Sequence, residues 1–310
     1  MTTEVSGLIP VWKPRGITSK DVSRVILKRF GKLKIGHVGT LDPDADGVLP
    51  VLIGRATKLQ DYLLDLDKAY SFDLLLGSAT DTLDATGKTV ATAPWEHVRG
   101  ETVKSVCQEF LGVIEQIPPL FSAVKYQGQE LYKYARDKGN TPDIPLETLT
   151  RRVLIKSLTV DKIALPEISM TVHCGKGTYV RTLAADIAAR LGTVGHVTRL
   201  TRIFSAGIDE RKCVTIDQIN DNNRTLESLV IPLKDLSIGL PQWTSDDMVL
   251  IRRITDGQRV ILHSCAEGFP ARNADHYEVL LKDGQGGCVG IVTVESQSGD
   301  QCKLHLKRGI

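Results

Sequence analysis

Three carboxylates, Asp42, Asp44 and Asp46, alternate inside Gly36-His37-Val38-Gly39-Thr40-Leu41-Asp42-Pro43-Asp44-Ala45-Asp46-Gly47-Val48-Leu49-Pro50. Three glycines and two prolines in those fifteen residues exclude a helix interior or a regular strand. Pro43 biases Leu41-Asp42 towards an extended geometry, and Gly39 and Gly47 permit positive φ and close backbone approach. The stretch then enters Val48-Leu49-Pro50-Val51-Leu52-Ile53, an apolar run that reads as a buried strand. A stiff loop anchored on a core strand can hold one carboxylate at a fixed place for chemistry. The alternatives are an acidic turn or a cation-binding loop. For a calcium loop of the EF-hand kind the alternation is right and Gly47 falls sixth, but Ile53 stands where a Glu is needed. The short basic connector Gly31 to Gly36 leads in where a helix should, so the metal alternative weakens.

Gly36 to Pro43, followed by Ala45, Gly47 and Val48-Leu49-Pro50, resembles the catalytic motif of the TruB family of pseudouridine synthases. Those enzymes isomerise one uridine in the T-loop of tRNA. The resemblance implies that Asp42 is the catalytic aspartate and that His37 lies at the RNA face. Asp44 and Asp46 depart from the family, which usually carries uncharged residues there. Their like charge would disfavour the ionised form of Asp42, but both are expected to point to solvent and matter little.

Further segments carry the resemblance along most of the chain. Lys68-Ala69-Tyr70 is similar to the family's Lys-x-Tyr, which implies that Tyr70 stacks on the target base and takes part in proton transfer. From the residues alone, a Tyr opening an apolar stripe reads as core. Lys176-Gly177-Thr178-Tyr179-Val180-Arg181-Thr182-Leu183 resembles a second hallmark. It implies that Arg181 pairs with Asp42 and keeps it ionised, that Tyr179 borders the target base, and that Lys176 contacts RNA. Gln116-x-Pro118-Pro119-x-Phe121-Ser122-Ala123-x-Lys125 is similar to a third motif, with Phe121 replacing the usual Tyr, and marks Lys125 as a phosphate contact. Lys13-Pro14-Arg15-Gly16-Ile17-Thr18-Ser19 resembles the first motif, with Trp12 where an Asp is common. Lys13 is thereby a candidate RNA contact, although a strand end and a helix cap explain most of the segment. Arg199 and Arg202, in a Leu-x-Arg-x-x-x-Gly-like run, are RNA contacts or sheet-edge charges.

The elements that must position these residues are legible in outline. Gly7 to Trp12 reads as a strand. Thr18 with Asp21 fits a capping box, and Val22, Val25, Ile26 and Phe30 follow at helical spacing until Gly31. Thr57 to Leu64 reads as a short helix, Tyr70 to Leu76 as a half-buried strand, and Glu101 to Leu111 as an amphipathic helix. The acids of Thr80-Asp81-Thr82-x-Asp84-x-x-Gly87 are expected to cap and shape a loop. Leu131 to Arg136 reads as helix, broken over Lys138 to Pro142. By resemblance residues 120–150 form a flap over the RNA, with Lys133, Arg136 and Lys138 as plausible contacts. Strands are expected at Arg151 to Ile155 and Ser169 to Cys174, with a helix from Thr178 to Leu191. Its glycine-flanked N-terminus is a ready anion site. From Gln242 the chain turns to short alternating segments, with a hairpin signal at Asp283-Gly284. These are similar to the small PUA-like β-barrel that follows the catalytic domain in the family. The expected fold is therefore α+β: a pseudouridine synthase fold with a central mixed, largely antiparallel sheet flanked by helices. Residues 1–238 would be catalytic and 239–310 RNA-binding.

Composition sets few limits. The chain has 310 residues, is 42% hydrophobic and 25% charged, and carries a net charge of +2, so any RNA-binding face needs segregated basic residues. Its six cysteines are scattered without a C-x-x-C pair, which excludes a paired zinc motif and suits reduced thiols. The N-terminus has no basic, apolar leader and no segment approaches a membrane span, so a cytoplasmic location is expected; a monomer is the separate expectation for the oligomeric state. Isomerisation exchanges no atoms, so neither cofactor nor metal is expected, and tRNA through its T-stem-loop is the expected partner. The competing class is a non-catalytic tRNA-binding or tRNA-folding factor on the same scaffold. A carboxylate glycosidase or phosphotransferase lacks a second motif-borne acid and a P-loop.

Overall fold

A computed structural model describes residues 5–122, 124–136, 144–263, 276–296 and 301–310. Its organising element is a large sheet whose inner strands have apolar residues on both faces. Strand β1 (Gly7–Lys13) pairs antiparallel along β3 (Asp46–Ile53), and the short β2 (Ile35–His37) pairs antiparallel with the last three residues of β3. Between them runs α1 (Ser19–Phe30). The Thr18 hydroxyl accepts from the Asp21 amide at 3.1 Å while the Asp21 carboxylate accepts from the Thr18 amide at 2.9 Å, the expected capping box. Val22 and Ile26 are its buried stripe.

The segment read as one short helix is a 3-10 turn (Gly54–Leu59) followed by α2 (Gln60–Asp65). The sheet continues through β4 (Lys68–Leu76), β5 (Gly112–Gln116), β6 (Arg151–Ala164), β7 (Glu167–Cys174), β8 (Gly195–Ser205) and β9 (Ile231–Pro232). Its spatial order is β9-β1-β3-β8-β4-β7-β6-β5, antiparallel throughout except where β8 meets β3. Helices α3 (Gly100–Glu109) and α4 (Val180–Arg190) complete the expected α+β arrangement.

Period-two alternation splits β1 and β3 between two cores. Ile9, Val11, Leu49, Val51 and Ile53 face a cluster shared with α1, α3 and α4. Leu8, Val48 and Leu52 face the opposite way, into a second cluster. Covering on both faces explains why these strands read as continuous apolar runs.

The second cluster includes the C-terminal part of the chain. There β10 (Gln242–Ser245), α5 (Met248–Thr255), β11 (Val260–His263), β12 (His276–Asp283), β13 (Cys288–Ser296) and β14 (Gln301–Gly309) form a five-stranded sheet in the order β10-β12-β13-β14-β11. Among the described residues this is an open path of strands with one helix, where the sequence suggested a small barrel. The Asp283-Gly284 turn does join β12 to β13, with the Asp283 amide donating to the Gly287 carbonyl at 2.9 Å. One face of this sheet (Val279, Leu281, Val292, Val294) packs on Leu250 and Ile254 of α5. The other (Leu280, Ile291) joins Leu8, Val48 and Leu52, so a continuous core crosses the division expected at residue 238.

Among the described residues no helix is long and apolar enough to cross a membrane. Cys107, Cys174, Cys213 and Cys288 are free thiols, and Cys265 lies outside the described residues. Of the flap, residues 137–143 lie outside them too, with Lys138 and the break at Lys138 to Pro142, as does the side chain of Arg136.

Candidate active site

The acidic loop carries few backbone bonds of its own, and five supports hold it. The Val38 amide donates to the Pro50 carbonyl at 2.9 Å, and Gly16 N–H reaches the Pro43 carbonyl at 2.8 Å. The Ser19 hydroxyl, at the start of α1, accepts from the Leu41 amide at 2.9 Å and donates to the Leu41 carbonyl at 3.2 Å. The last two supports are cations that the sequence made candidates for RNA contact.

Lys13 is fully buried, and its Nζ donates to the carbonyls of Pro14 (2.9 Å), Ile17 (2.8 Å) and Pro43 (3.3 Å). Arg202 is 1% exposed. Its guanidinium donates to the carbonyls of Val48 (2.7 Å), Gly39 (3.0 Å) and Val38 (3.4 Å). It lies on β8 inside the sheet, not at an edge. Neither side chain is placed to meet a phosphate, because irregular backbone buried under the loop needs donors and no strand supplies them. Two glycines make room: a Cβ on Gly47 would lie 2.2 Å from the Arg202 carbonyl oxygen, and one on Gly39 3.0 Å from an Arg202 guanidinium nitrogen. Burial pulls the Lys13 pKa down to about 8, against the attraction of Asp46, Asp42 and Asp44. Lys13→Met should therefore slow turnover severalfold by freeing Pro43, yet leave the salt dependence of RNA binding unchanged. Loss of a true phosphate contact would lower that salt slope by about one unit, which titration at several salt concentrations would detect.

Arg181, in the first turn of α4, is 6% exposed and fixed on four acceptors. It donates to the carbonyls of Thr82 (2.8 Å) and Phe121 (2.9 Å) and pairs with the carboxylates of Asp42 (3.0 Å) and Asp84 (3.6 Å). The expected Asp42–Arg181 pair is thus formed. Its electrostatics differ from expectation: desolvation raises the Asp42 pKa, and Arg181 opposes this without reversing it. The like charge that adds to the rise is Asp84. Asp44 is drawn off by an ion pair with Arg15 at 2.7 Å. Asp46 is not turned wholly to solvent, since its Oδ1 is buried without a hydrogen-bond partner.

Asp84 is therefore the site residue that sequence reasoning passed over as a loop-shaping acid. It does shape its loop, accepting from the Thr82 hydroxyl at 2.7 Å and the Thr86 amide at 2.9 Å. Its other oxygen faces Arg181. Its place opposite Arg181 depends on β8, where Val197 N–H donates to the Leu83 carbonyl at 3.1 Å, a contact that no local pattern announces.

Around this pair the other candidates sort clearly. Arg199 is exposed and lines the same cleft as Asp42, Asp84 and Arg181. Tyr70 is 9% exposed and faces Arg202 across the β4–β8 ladder, with burial pushing its phenol pKa up. Tyr179 is the N-cap residue of α4, half-buried, with its amide and carbonyl both bound by the Gln116 side chain (3.0 and 3.2 Å). His37 is half-buried on β2, 3.2 Å from the Thr40 hydroxyl. Burial, then Arg202 and Lys20, lower its pKa and keep the imidazole neutral at neutral pH. Lys125 is exposed, and Lys176 is exposed in an ion pair with Asp65 at 2.9 Å. Among the described residues no three His, Cys, Asp or Glu side chains are grouped to hold a metal ion. The cleft thus presents the partly exposed Asp42 carboxylate held against a buried cation.

Comparison with known proteins agrees with this geometry. Residues 27–180 match the family described as TruB family pseudouridylate synthase (N terminal domain), and residues 181–236 match tRNA pseudouridylate synthase B C-terminal domain. A protein of Staphylococcus haemolyticus named tRNA pseudouridine synthase B is 40% identical over 263 residues, covering 82% of this chain and 85% of that relative. A Staphylococcus aureus protein of the same name is 39% identical with the same coverage. Of solved structures, a chain of an H/ACA RNP bound to a substrate RNA containing 2'-deoxyuridine superposes with a TM-score of 0.71 at 21% identity. That match covers 98% of this chain and 84% of the other. A chain of a Cbf5-Nop10-Gar1 complex gives 0.71 at 24% identity, covering 94% and 79%. At such identities the structural likeness establishes the fold.

Proposed function

The chain belongs to the TruB family of pseudouridylate synthases, and from that premise we propose that it isomerises the T-loop uridine of tRNA, position 55, to pseudouridine. The observation that carries the proposal is the Asp42 carboxylate, 3.0 Å from a guanidinium that is itself buried and bound to backbone.

The reaction breaks the bond from C1′ to N1 and makes one from C1′ to C5. N1 gains a proton and C5 loses one, so atoms balance without cofactor or redox partner. Asp42 acts at the sugar, as nucleophile at C1′ or as base at C2′, and Arg181 stabilises it and fixes its direction. A stacked uridine is out of reach, so the base must leave its loop at a cost of about a few kcal/mol. Stacking on Tyr70 and Tyr179 returns about 1–3 kcal/mol per base. The Tyr70 phenol, kept protonated by burial, is suited to give a proton to N1 and to take the one from C5. His37, neutral at the loop's base, fills the vacated space. Arg199, Lys125 and Lys176 supply exposed positive charge for the phosphates.

Residues 1–238 form the catalytic portion, with a flap about 120–150, and 239–310 a PUA-like RNA-binding portion. Exposed cations on both support this. A monomer is expected, and the tRNA substrate supports a cytoplasmic location. The test is wild-type protein on a T-stem-loop transcript, with EDTA present and no cofactor added. Conversion of the T-loop uridine is expected. Tight binding without conversion would move the tRNA-folding alternative into first place.

A further inference from the structure

The acidic loop has one more support, and it comes from the far end of the chain. Helix α2 stands between the C-terminal sheet and the loop. On its outer side the Tyr62 hydroxyl donates to the Glu278 carboxylate of β12 at 2.7 Å. The Tyr62 ring lies 5.7 Å from Lys307 Nζ and 5.6 Å from the Arg308 guanidinium, both on β14. Lys307 pairs with Glu278, and Arg308 pairs with Asp61 at 3.2 Å. The ring thereby lies within cation–π reach of both cations and is anchored by its hydroxyl.

The inner side of the same helix meets the loop. Lys68 Nζ donates to the carbonyls of Leu64 and Leu66, both at 2.7 Å. A Cβ on Gly39 would lie 3.7 Å from Lys68 Cε and 3.8 Å from Leu64 Cδ2, and one on Gly36 would lie 2.8 Å from Gln60 Oε1. Gly36 and Gly39 bracket His37 and lead directly to Asp42. Apolar packing follows the same line, since Val38, Val48, Leu59 and Leu63 share a buried cluster with Leu280, Ile291 and Ile310.

We infer that the C-terminal sheet braces the catalytic loop through α2, with Tyr62 as the positioning residue. The inference rests on the proposed function for its catalytic readout. Packed interiors transmit displacement because they have little free volume. A carboxylate that must meet C1′ or C2′ loses rate when its support moves, even where the support holds no reacting group.

Full-length Tyr62→Leu and Tyr62→Phe proteins test this on a T-stem-loop transcript. Tyr62→Leu should lower the single-turnover rate at saturating RNA about tenfold while the RNA Kd stays within about twofold of wild type. Hydrogen exchange should quicken at the Val38 and Leu41 amides and stay unchanged at Val172, in the middle of the sheet. Tyr62→Phe, which keeps the ring beside its cations, should recover most of the rate. A weakened Kd with an unchanged saturated rate would overturn the brace and leave the sheet an RNA-binding surface only. Faster exchange at Val172 as well would make Tyr62 a general stability residue and overturn it too, as would no change in either readout. If the wild type forms no pseudouridine, the proposed function fails, and exchange at Val38 and Leu41 alone decides the brace.

Discussion

Arg181→Met is expected to reduce single-turnover pseudouridine formation by about 10²–10³-fold, the scale on which removal of one preorganised electrostatic partner is felt. Three consequences separate this from a general loss of structure. Arg181 is the main group holding the Asp42 pKa down against desolvation, and Asp84 pushes the same way as desolvation. Without the guanidinium, the acid limb of the kcat/KM profile should move to higher pH than in wild type. The fold should also weaken, by about 1–3 kcal/mol, because loss of a buried guanidinium leaves its acceptors without a donor. The carbonyls of Thr82 and Phe121 lose their donor at the same time. Adding Asp84→Asn should restore part of the stability, since it removes the less exposed of the two orphaned carboxylates, but little of the rate. An acid limb that did not move would mean that Arg181 serves the fold and not Asp42.

Asp42→Asn is expected to abolish turnover, with a fall of at least about 10³-fold, as when a positioned base or nucleophile is removed. RNA affinity should persist, because Arg199, Lys125, Lys176, Tyr70 and Tyr179 remain. Folded stability should persist too, and the sign follows from the titration. The Asp42 pKa is raised in the folded protein, chiefly by desolvation. The folded state therefore binds that proton more tightly than the unfolded chain does. Asp42 favours the fold below the ordinary carboxylate range, and this contribution is lost as pH rises through its folded pKa. At neutral pH the ionised carboxylate is a burden on the fold that Asn does not carry. Wild-type activity should accordingly rise with pH along a limb placed above that of a free aspartate. Thermal unfolding and RNA titration of the variant at pH 7 check the first part, and the wild-type pH–rate profile the second.

Much of this site is written locally in the sequence. The punctuation of residues 36–50 by glycine and proline marks a fixed loop, and Thr18 with Asp21 marks the start of α1. The spacing of Arg181 after Gly177 places it in the first turn of α4. What stayed hidden are tertiary demands. Lys13 and Arg202 look like surface cations because nothing local says that buried loop carbonyls need donors. The one trace is at Gly39 and Gly47, which leave the space that Arg202 occupies. Asp84 sits in a loop whose acids suffice as caps, and only the fold turns one of its oxygens to Arg181. The C-terminal strands alternate as expected, yet which face meets the catalytic half depends on Leu280 and Ile291 finding Leu8, Val48 and Leu52. A period-two pattern cannot name its partner.

The central claim is that Asp42, set against Arg181, isomerises the T-loop uridine. It is tested most directly by mixing excess wild-type or Asp42→Asn protein with an unmodified tRNA transcript and scoring bound RNA and pseudouridine at each uridine in the same samples. The account predicts equal binding, full conversion at the T-loop uridine by wild type, and none by the variant. Conversion by Asp42→Asn at the wild-type rate, or binding by both proteins with conversion by neither, would contradict it.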